Sequence, residues 1–510
     1  MIGPPRRAVG PILVGAATLA ASYPPYSIPL LSFVAVVPAV LLIRQAVRDE
    51  DPGGAFRVGF WYGWATQAVV LYWMIVALWH FTPLAALGYL ATVTFEALWS
   101  GVLFWFVVRV RLRVPALPLW VVFPLAWTAV EWALGHQGDI AFPWLGLGTS
   151  LAHTPLLVQW ADIAGARGVT LWLAWCNVLI AEAVLPVVGT RRALVRGLVP
   201  VGATLLGVVG YGVWRERTLP LRELDTIGLV QPNEGFWEKW NPAHEDSVVV
   251  RLVAMSRRVE EPGRGHLGLV VWPEAAIPGY FVNHPQWDQT VARLARDGRV
   301  PILAGGLDVE FHGPTVYEYF NSAFFYDSTG HRAPYPVYHK HYLVPVVERV
   351  PFIPPRWIRL QWFGGFGRGR ELPVYAAAGG RFGVLICYES AFEDLPRRYR
   401  RRGADFLVNI TNDAWFGRTS APTQHASHLV LRAIETRMGV ARAANSGISE
   451  FVDPLGQVHD ATRLGTADIV AGQLRTSDVT TLYVRLGDWV GWLAVLGSLV
   501  CGGLLVMPRR

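Results

Sequence analysis

Apolar residues follow two different rhythms along this chain. Long, nearly uninterrupted apolar stretches fall at approximately 8–22, 27–43, 58–79, 84–108, 115–134, 168–188, 197–214 and 489–507. Each is long enough, or nearly so, to cross a hydrocarbon core of about 30 Å as a helix. The first is short and is broken from the second by Pro24-Pro25. With Arg6 and Arg7 in front and Ala20-Ala21-Ser22 behind, it also has the parts of a cleaved signal peptide. A retained helical hairpin is the preferred reading, because the next apolar stretch follows within a few residues. Between 216 and 488 the rhythm shortens. Apolar runs at 226–230, 268–272, 300–304, 322–326, 382–386 and 405–410 read as strands, and 246–259, 287–296, 392–402 and 424–440 read as helices. The expected organisation is an N-terminal membrane domain of seven helices (1–215), an α/β domain (216–488) and a last membrane helix (489–510).

Charge orients this arrangement. The chain carries 45 Lys+Arg against 38 Asp+Glu, a net +7. The excess gathers in alternate short loops: Arg6 and Arg7; Arg44, Arg48 and Arg57; Arg109, Arg111 and Arg113; Arg191, Arg192 and Arg196; Arg509 and Arg510. Basic loops stay on the cytoplasmic side, so both termini are expected inside and the α/β domain outside the cytoplasm. Only 16% of residues are charged and mean hydropathy is +0.32, against about 25% charged in soluble proteins. The basic balance therefore reports membrane topology, and no nucleic-acid partner is expected. Three cysteines, two of them in apolar stretches, make no disulfide framework. CxxC and HExxH spacings are absent, so neither metal nor cofactor is expected. Glu96, Glu131 and Glu182 fall within the apolar stretches. Glu131 and Glu182 read as helix-contact or helix-end residues, whereas Glu96, nearer the middle, keeps a functional reading open.

Candidate chemistry lies at the ends of the strand-like runs, where α/β sheets gather their sites. Glu274 follows the run 268–272, Cys387 follows 382–386, and Lys340 lies in the aromatic loop 335–342. Taken singly, Cys387 reads as a small buried side chain, Glu274 as a cap or surface acid, and Lys340 as a solvated charge. Together they form a set for acyl transfer. A thiol is mostly protonated at neutral pH, a carboxylate can take its proton, and a fixed ammonium stabilises the thiolate and the oxyanion formed on attack at a carbonyl. His339, His341 and His425 offer a Cys–His pairing instead, but the Glu, Lys and Cys set already accounts for activation.

Trp272-Pro273-Glu274, Tyr338-His339-Lys340 and Cys387-Tyr388-Glu389 stand in the order and spacing of the nitrilase (carbon–nitrogen hydrolase) superfamily. The run 409–417, Arg432 to Arg437 and the run 442–449, with spans on both sides of the domain, make the whole chain resemble the apolipoprotein N-acyltransferase family. The resemblance implies a nitrilase-like αββα sandwich carried on a polytopic helical domain of about eight transmembrane helices. It implies Glu274 as general base, Lys340 as oxyanion stabiliser and Cys387 as nucleophile. It further implies Glu348 as a second carboxylate, Tyr388 and Glu389 as supports of the nucleophile, and Trp237 or Trp240 as an aromatic lipid contact. Val346-Val347 and Arg349 depart from the family, which often has Phe-Gly before the second carboxylate and an aromatic after it.

The implied enzyme moves a fatty acyl chain from the sn-1 position of a membrane phospholipid to the α-amino group of a lipoprotein's diacylglyceryl-cysteine, ping-pong, through a Cys387 thioester. Its partners are the phospholipid donor, the diacylglyceryl apolipoprotein acceptor and the bilayer, and its place is the cytoplasmic (inner) membrane with the domain on the periplasmic side. A tethered amidase would share the chemistry up to the thioester, but eight spans exceed what a tether needs. A transporter or receptor with a binding domain outside would not need the Glu, Lys and Cys set. The loop 135–167, with Phe142-Pro143-Trp144-Leu145, reads equally as a membrane anchor or a substrate-docking element. The segment 354–366, with Arg356, Arg359 and Gly364-Gly365, reads as a flexible lid suited to phosphates.

Overall fold

The computed structural model describes residues 3–79, 85–184, 191–241, 243–259, 267–313, 317–353 and 365–507. Helices lie on all of the apolar stretches: Arg6–Ser22, Pro29–Ser32 with Val37–Arg48, Pro52–Val70 with Trp73–Trp79, Ala85–Arg113, Leu119–Gly135, Ala161–Val184, Arg191–Thr218 and Trp489–Val506. Among the described residues, Pro29–Arg48, Ala86–Arg113, Ala161–Val184, Leu194–Thr218 and Trp489–Val506 are long and apolar enough to cross a membrane. Pro52–Val70 and Trp73–Trp79 pass together as one span bent by 60°. Arg6–Ser22 and Leu119–Gly135 are shorter, at 17 residues each. Asp51 caps the helix at Pro52 by accepting from the Gly54 amide at 2.8 Å.

Two six-stranded mixed sheets form the α/β part. In chain order the strands are β1 Arg222–Gln231, β2 Leu267–Val271, β3 Ile302–Phe311, β4 Tyr317–Tyr326, β5 Tyr338–His339, β6 Tyr375–Ala377, β7 Gly380–Ile386, β8 Phe406–Thr411, β9 Gly439–Ala444, β10 Glu450–Val452, β11 Val458–His459 and β12 Asp468–Thr476. The first sheet runs β12-β1-β2-β3-β4-β5 and the second β11-β10-β9-β8-β7-β6. The central pairs β1–β2–β3 and β7–β8–β9 are parallel, and the flanking pairs are antiparallel. Their inner faces meet: Phe325 of β4 packs on Tyr375 and Phe382 of the other sheet with ring centroids 5.0 and 5.8 Å apart.

Alternation along the strands explains the layering. Leu269 and Val271 of β2 belong to the apolar cluster between the sheets, whereas Val270 belongs to the cluster with helices Glu245–Val259 and Pro285–Gly298 on the outer face. Helices Asp394–Arg401 and Ala421–Thr436 cover the second sheet. The order of layers is therefore helix, sheet, sheet, helix.

Every expected strand is present, though β3 and β4 run further than their apolar cores. The helix expected over 424–440 is corrected: it spans Ala421–Thr436, and β9 begins at Gly439. Arg437 is the cause, since its φ of +53° leaves the right-handed helical region.

Candidate active site

Each candidate side chain leaves the end of a strand. β2 delivers Trp272, whose indole donates to the Ser256 hydroxyl at 2.8 Å, and then buried Glu274. The backbone at Glu274 rests directly on β3. A Cβ on Gly305 would lie 2.2 Å from the Pro273 carbonyl oxygen and 2.8 Å from the Glu274 Cα, so only glycine fits. β5 delivers Lys340, whose amide donates to the Asn321 carbonyl of β4 at 2.9 Å. β7 delivers Cys387, which opens the turn Cys387–Ala391 at φ +52°. Left-handed backbone at a residue with a Cβ is strained and persists where the surroundings impose it. Here Glu389 imposes it, its Oε2 accepting from the Ile386 amide and the Tyr338 hydroxyl at 2.7 Å each.

The charged groups converge. Lys340 Nζ lies 3.3 Å from Glu274 Oε1 and 2.9 Å from Glu348 Oε1. Asn321 Nδ2 donates to the same two carboxylates at 2.7 and 2.9 Å. Glu274 Oε2 accepts from the Asn412 amide at 2.8 Å, just beyond β8. Glu348 Oε2 accepts from the Val344 amide at 2.8 Å, which closes its own loop. Lys340, Glu274, Glu348 and Cys387 are all buried.

Electrostatics defines the resting state. Burial pushes the Cys387 thiol well above its ordinary range, and the Glu274 charge pushes it further. Lys340 pulls it back without overcoming them, with Asp413 opposing and a Thr411 hydrogen bond helping. Burial alone would lower the Lys340 ammonium, but Glu348 and Glu274 outweigh burial and hold it charged. The resting cluster is thus a neutral thiol beside a fixed ammonium. Behind Glu274, buried Lys239 donates to the Glu274 carbonyl at 3.3 Å, and burial lowers that ammonium to about 8 against Glu274 and Glu234. Below Cys387, burial would raise Asp413, yet Arg442 and His425 hold it near about 2. The Asp413 carboxylate accepts from Arg442 at 2.8 Å and pairs with His425 Nδ1 at 2.9 Å.

Glu274, Lys340, Glu348 and Cys387 are therefore together, with Glu389 bracing the last. Tyr388 points toward the loop 135–167: its hydroxyl donates to the Ala141 carbonyl at 2.8 Å, and its ring stacks on Phe142 and Trp144 at 6.0 and 6.2 Å. The loop 135–167 is thus part of the site's wall, with Trp144 donating to Gln424 at 2.9 Å. Trp237 lies in the short helix Phe236–Lys239, and its side chain is outside the described residues, as are Arg356, Arg359 and the expected lid from 354 to 364. The histidines point elsewhere: His339 pairs with Asp308 at 2.9 Å, and His341 Nδ1 lies 3.0 Å from the His339 carbonyl. Of the acids in the apolar stretches, Glu131 binds Arg167, Thr170, Trp127 and the Leu147 amide, a helix-contact role, while Glu96 is buried against Gln67 at 3.3 Å.

Sequence reasoning missed Asn321, although an amide inside the aromatic run 317–326 was a signal. It also missed Asp139, which accepts from the Phe352 amide at 3.0 Å and pairs with Arg349 at 3.5 Å and with Arg368. That carboxylate clamps the loop carrying Glu348 to the loop 135–167. Nothing in the spacing pairs residues so far apart in the chain.

Residues 226–483 match the carbon–nitrogen hydrolase family, and residues 15–179 match the apolipoprotein N-acyltransferase N-terminal domain. Curated relatives named apolipoprotein N-acyltransferase include one from Geobacter metallireducens, 32% identical over 98% of this chain and 95% of the relative. Others come from Brucella suis, 31% identical over 99% and 97%, and Chlorobaculum tepidum, 30% identical over 92% and 90%. With a buried Glu, Lys and Cys cluster at the strand ends and matches that run nearly from end to end, the chain belongs to the apolipoprotein N-acyltransferase family and is an acyltransferase of the carbon–nitrogen hydrolase type.

Proposed function

We propose that the chain transfers a fatty acyl group from the sn-1 ester of a membrane phospholipid to the α-amino group of a lipoprotein's diacylglyceryl-cysteine. The observation that carries this reading is the shared buried environment of Glu274, Lys340 and Cys387, walled on one side by Tyr388 and the aromatic loop at Trp144. In the first half-reaction Glu274 takes the thiol proton as the sulfur attacks the ester carbonyl. Lys340 stabilises the oxyanion. Collapse breaks the ester bond, and the departing lysophospholipid oxygen takes the proton back from Glu274. In the second half the neutral amine attacks the thioester, Glu274 accepts its proton, and the amide forms as the sulfur leaves and is reprotonated. A neutral resting thiol suits this route, since it needs the base at the moment of attack and stays inert between turnovers. Glu348 fixes Lys340, and Tyr388, Glu389 and Trp237 serve the nucleophile and the lipid.

The same reading assigns eight spans to residues 1–215 and 489–510, both termini to the cytoplasm, and residues 216–488 to the outer side of the inner membrane. Tryptophan and leucine around loop 135–167 suit that interface, and substrates anchored in the outer leaflet would reach the site sideways.

Intact-mass analysis after incubation with phospholipid tests the chemistry. The expected result is one hydroxylamine-sensitive fatty-acyl adduct on Cys387, discharged by a diacylglyceryl-cysteine peptide that becomes N-acylated. The Cys387→Ala variant should carry no adduct and show no turnover. An adduct that only water discharges would mark an amidase or esterase instead, and acylation persisting in Cys387→Ala would remove the thioester altogether.

A further inference from the structure

At the end of the helical bundle that carries the arginine-rich loops, helices Arg6–Ser22, Val37–Arg48 and Pro52–Val70 line an open cavity of about 390 Å³. That volume is within the usual range of small-ligand sites, about 300–1,000 Å³. Its wall combines Arg7, Arg44, Arg48 and Arg57 with Asp49 and Asp51. The two acids are already engaged. Asp49 pairs with Arg7, and Asp51 caps the Pro52 helix. Arg48 donates to the Gln45 side chain. Arg44 and Arg57 remain. Arg44 Nη1 and Arg57 Nε are buried, and neither has a hydrogen-bond partner or a carboxylate partner among the described residues. Glu182, on another helix, acts on Arg44 only at a distance, without a direct ion pair.

Four arginines against two engaged aspartates leave this wall with net positive charge. A ligand that matches it is an anion that offers several acceptor oxygens to forked donors. Its surroundings narrow the choice. The wall includes Pro11, Leu41, Leu42 and Val58. An apolar flank running from a basic pocket along a membrane helix fits a headgroup with its acyl chains, and basic pockets between cytoplasmic helix ends bind anionic lipids.

We propose that Arg44 and Arg57 seat the phosphate of a phospholipid whose headgroup carries net negative charge, at the opposite end of the helices from the acyl-transfer site. The inference rests on the membrane placement given above, but not on the thioester chemistry. It assigns this lipid a structural role, distinct from the acyl donor.

The test is native mass spectrometry and thermal unfolding of the full chain in detergent, with phosphatidylglycerol, phosphatidylcholine or inorganic phosphate added. The unaltered chain is expected to retain phosphatidylglycerol at least ten-fold better than phosphatidylcholine and to melt several degrees higher with it. Arg44→Gln/Arg57→Gln is expected to lose both effects while still forming the Cys387 adduct at the original rate. Equal retention of the two lipids by the unaltered chain, a measurement that needs no variant, would overturn the proposal. So would a double variant that keeps the preference. Stabilisation by inorganic phosphate equal to that by lipid would reassign the seat to a free anion. Loss of the thioester in every form of the protein would count against the acyl-transfer reading and leave this one standing.

Discussion

Glu389 is a carboxylate surrounded by donors. Tyr338 and the Ile386 amide serve Oε2, while the His341 and Tyr342 amides serve Oε1 at 2.6 and 3.2 Å. It therefore ties the segment that carries Lys340 to the turn that carries Cys387. Burial raises its pKa from 4.5 to about 7, against the pull of those hydrogen bonds and of Lys340. The donors require the ionised form, so protonation loosens the turn. The rate of Cys387 acylation is expected to rise as pH climbs through about 7. Stability runs the other way, because the folded state holds this proton more tightly than the unfolded chain does. The contribution is present below about 4.5 and is lost as pH rises through about 7. Glu389→Gln offers an amide where a charge accepted four bonds. A loss of one or two charge-assisted bonds corresponds to about 10–100-fold in rate. Adduct formation followed from pH 5.5 to 9 checks both points: the variant should be slower and should lack the limb near 7. A variant that keeps the limb would place that titration on another group.

At the scale of elements, the β2–β3 pair decides where Glu274 sits. Gly305 lets the Pro273–Glu274 backbone lie directly on β3, while a Cβ on its neighbour Gly306 would meet side chains alone, the Phe324 ring at 3.1 Å and the Ile277 Cβ at 3.6 Å. Gly305→Ala is expected to displace Glu274 and slow adduct formation about 100-fold, as a shift near 1 Å can. Gly306→Ala should change it little. Equal effects would show that the close approach does not set the position of Glu274. The same elements show what the sequence made readable. β2 and β7 announce themselves as apolar runs ending in Glu274 and Cys387, because a fully buried parallel strand needs apolar residues on both faces. β9, with its run Gly-Val-Ala-Arg-Ala-Ala, is not among the expected strands, and its first two residues fall in the helix expected over 424–440. Its Arg442 is held by Asn409 and Asp413, a pairing that local pattern does not show. The loop at Trp144 was legible as an anchor or a docking element but not as a wall packed on the domain, since apolar periodicity distinguishes a lipid-facing loop from one packed on a domain only when the partner surface is known. The pairing of Asp139 with Arg349 joins two loops about two hundred residues apart, a relation that local pattern does not encode.

The molecule as a whole is held together by a buried polar seam between the helices and the α/β domain. Asp162, at the start of helix Ala161–Val184, accepts from Arg215 and from Tyr211 at 2.8 Å on the next helix and pairs with Arg437 of the domain at 2.8 Å. Arg437 is fully buried and also donates to the Gln159 and Pro454 carbonyls, at 2.8 Å each. Nearby, Glu435 accepts from the Ala166 amide at 2.8 Å. Such a seam fixes register as well as distance, because each donor has one acceptor geometry that satisfies it, and an apolar seam would tolerate sliding. Fixed register matters here, since the Trp144 wall comes from the helical part and Cys387 from the domain. Breaking a buried pair by removing one partner typically costs about 3–5 kcal/mol. Arg437→Met should lower the thermal unfolding midpoint in detergent by several degrees and slow adduct formation, because Asp162 loses its donor from the domain and the Gln159 and Pro454 carbonyls lose a donor each. Arg437→Lys, which keeps the charge but not the fork, should fall between the two. If Arg437→Met unfolds at the original temperature while adduct formation still slows, the seam positions the domain without stabilising it. If neither quantity moves, the alignment of wall and nucleophile resides elsewhere, with the Tyr388–Ala141 bond as the next contact to sever.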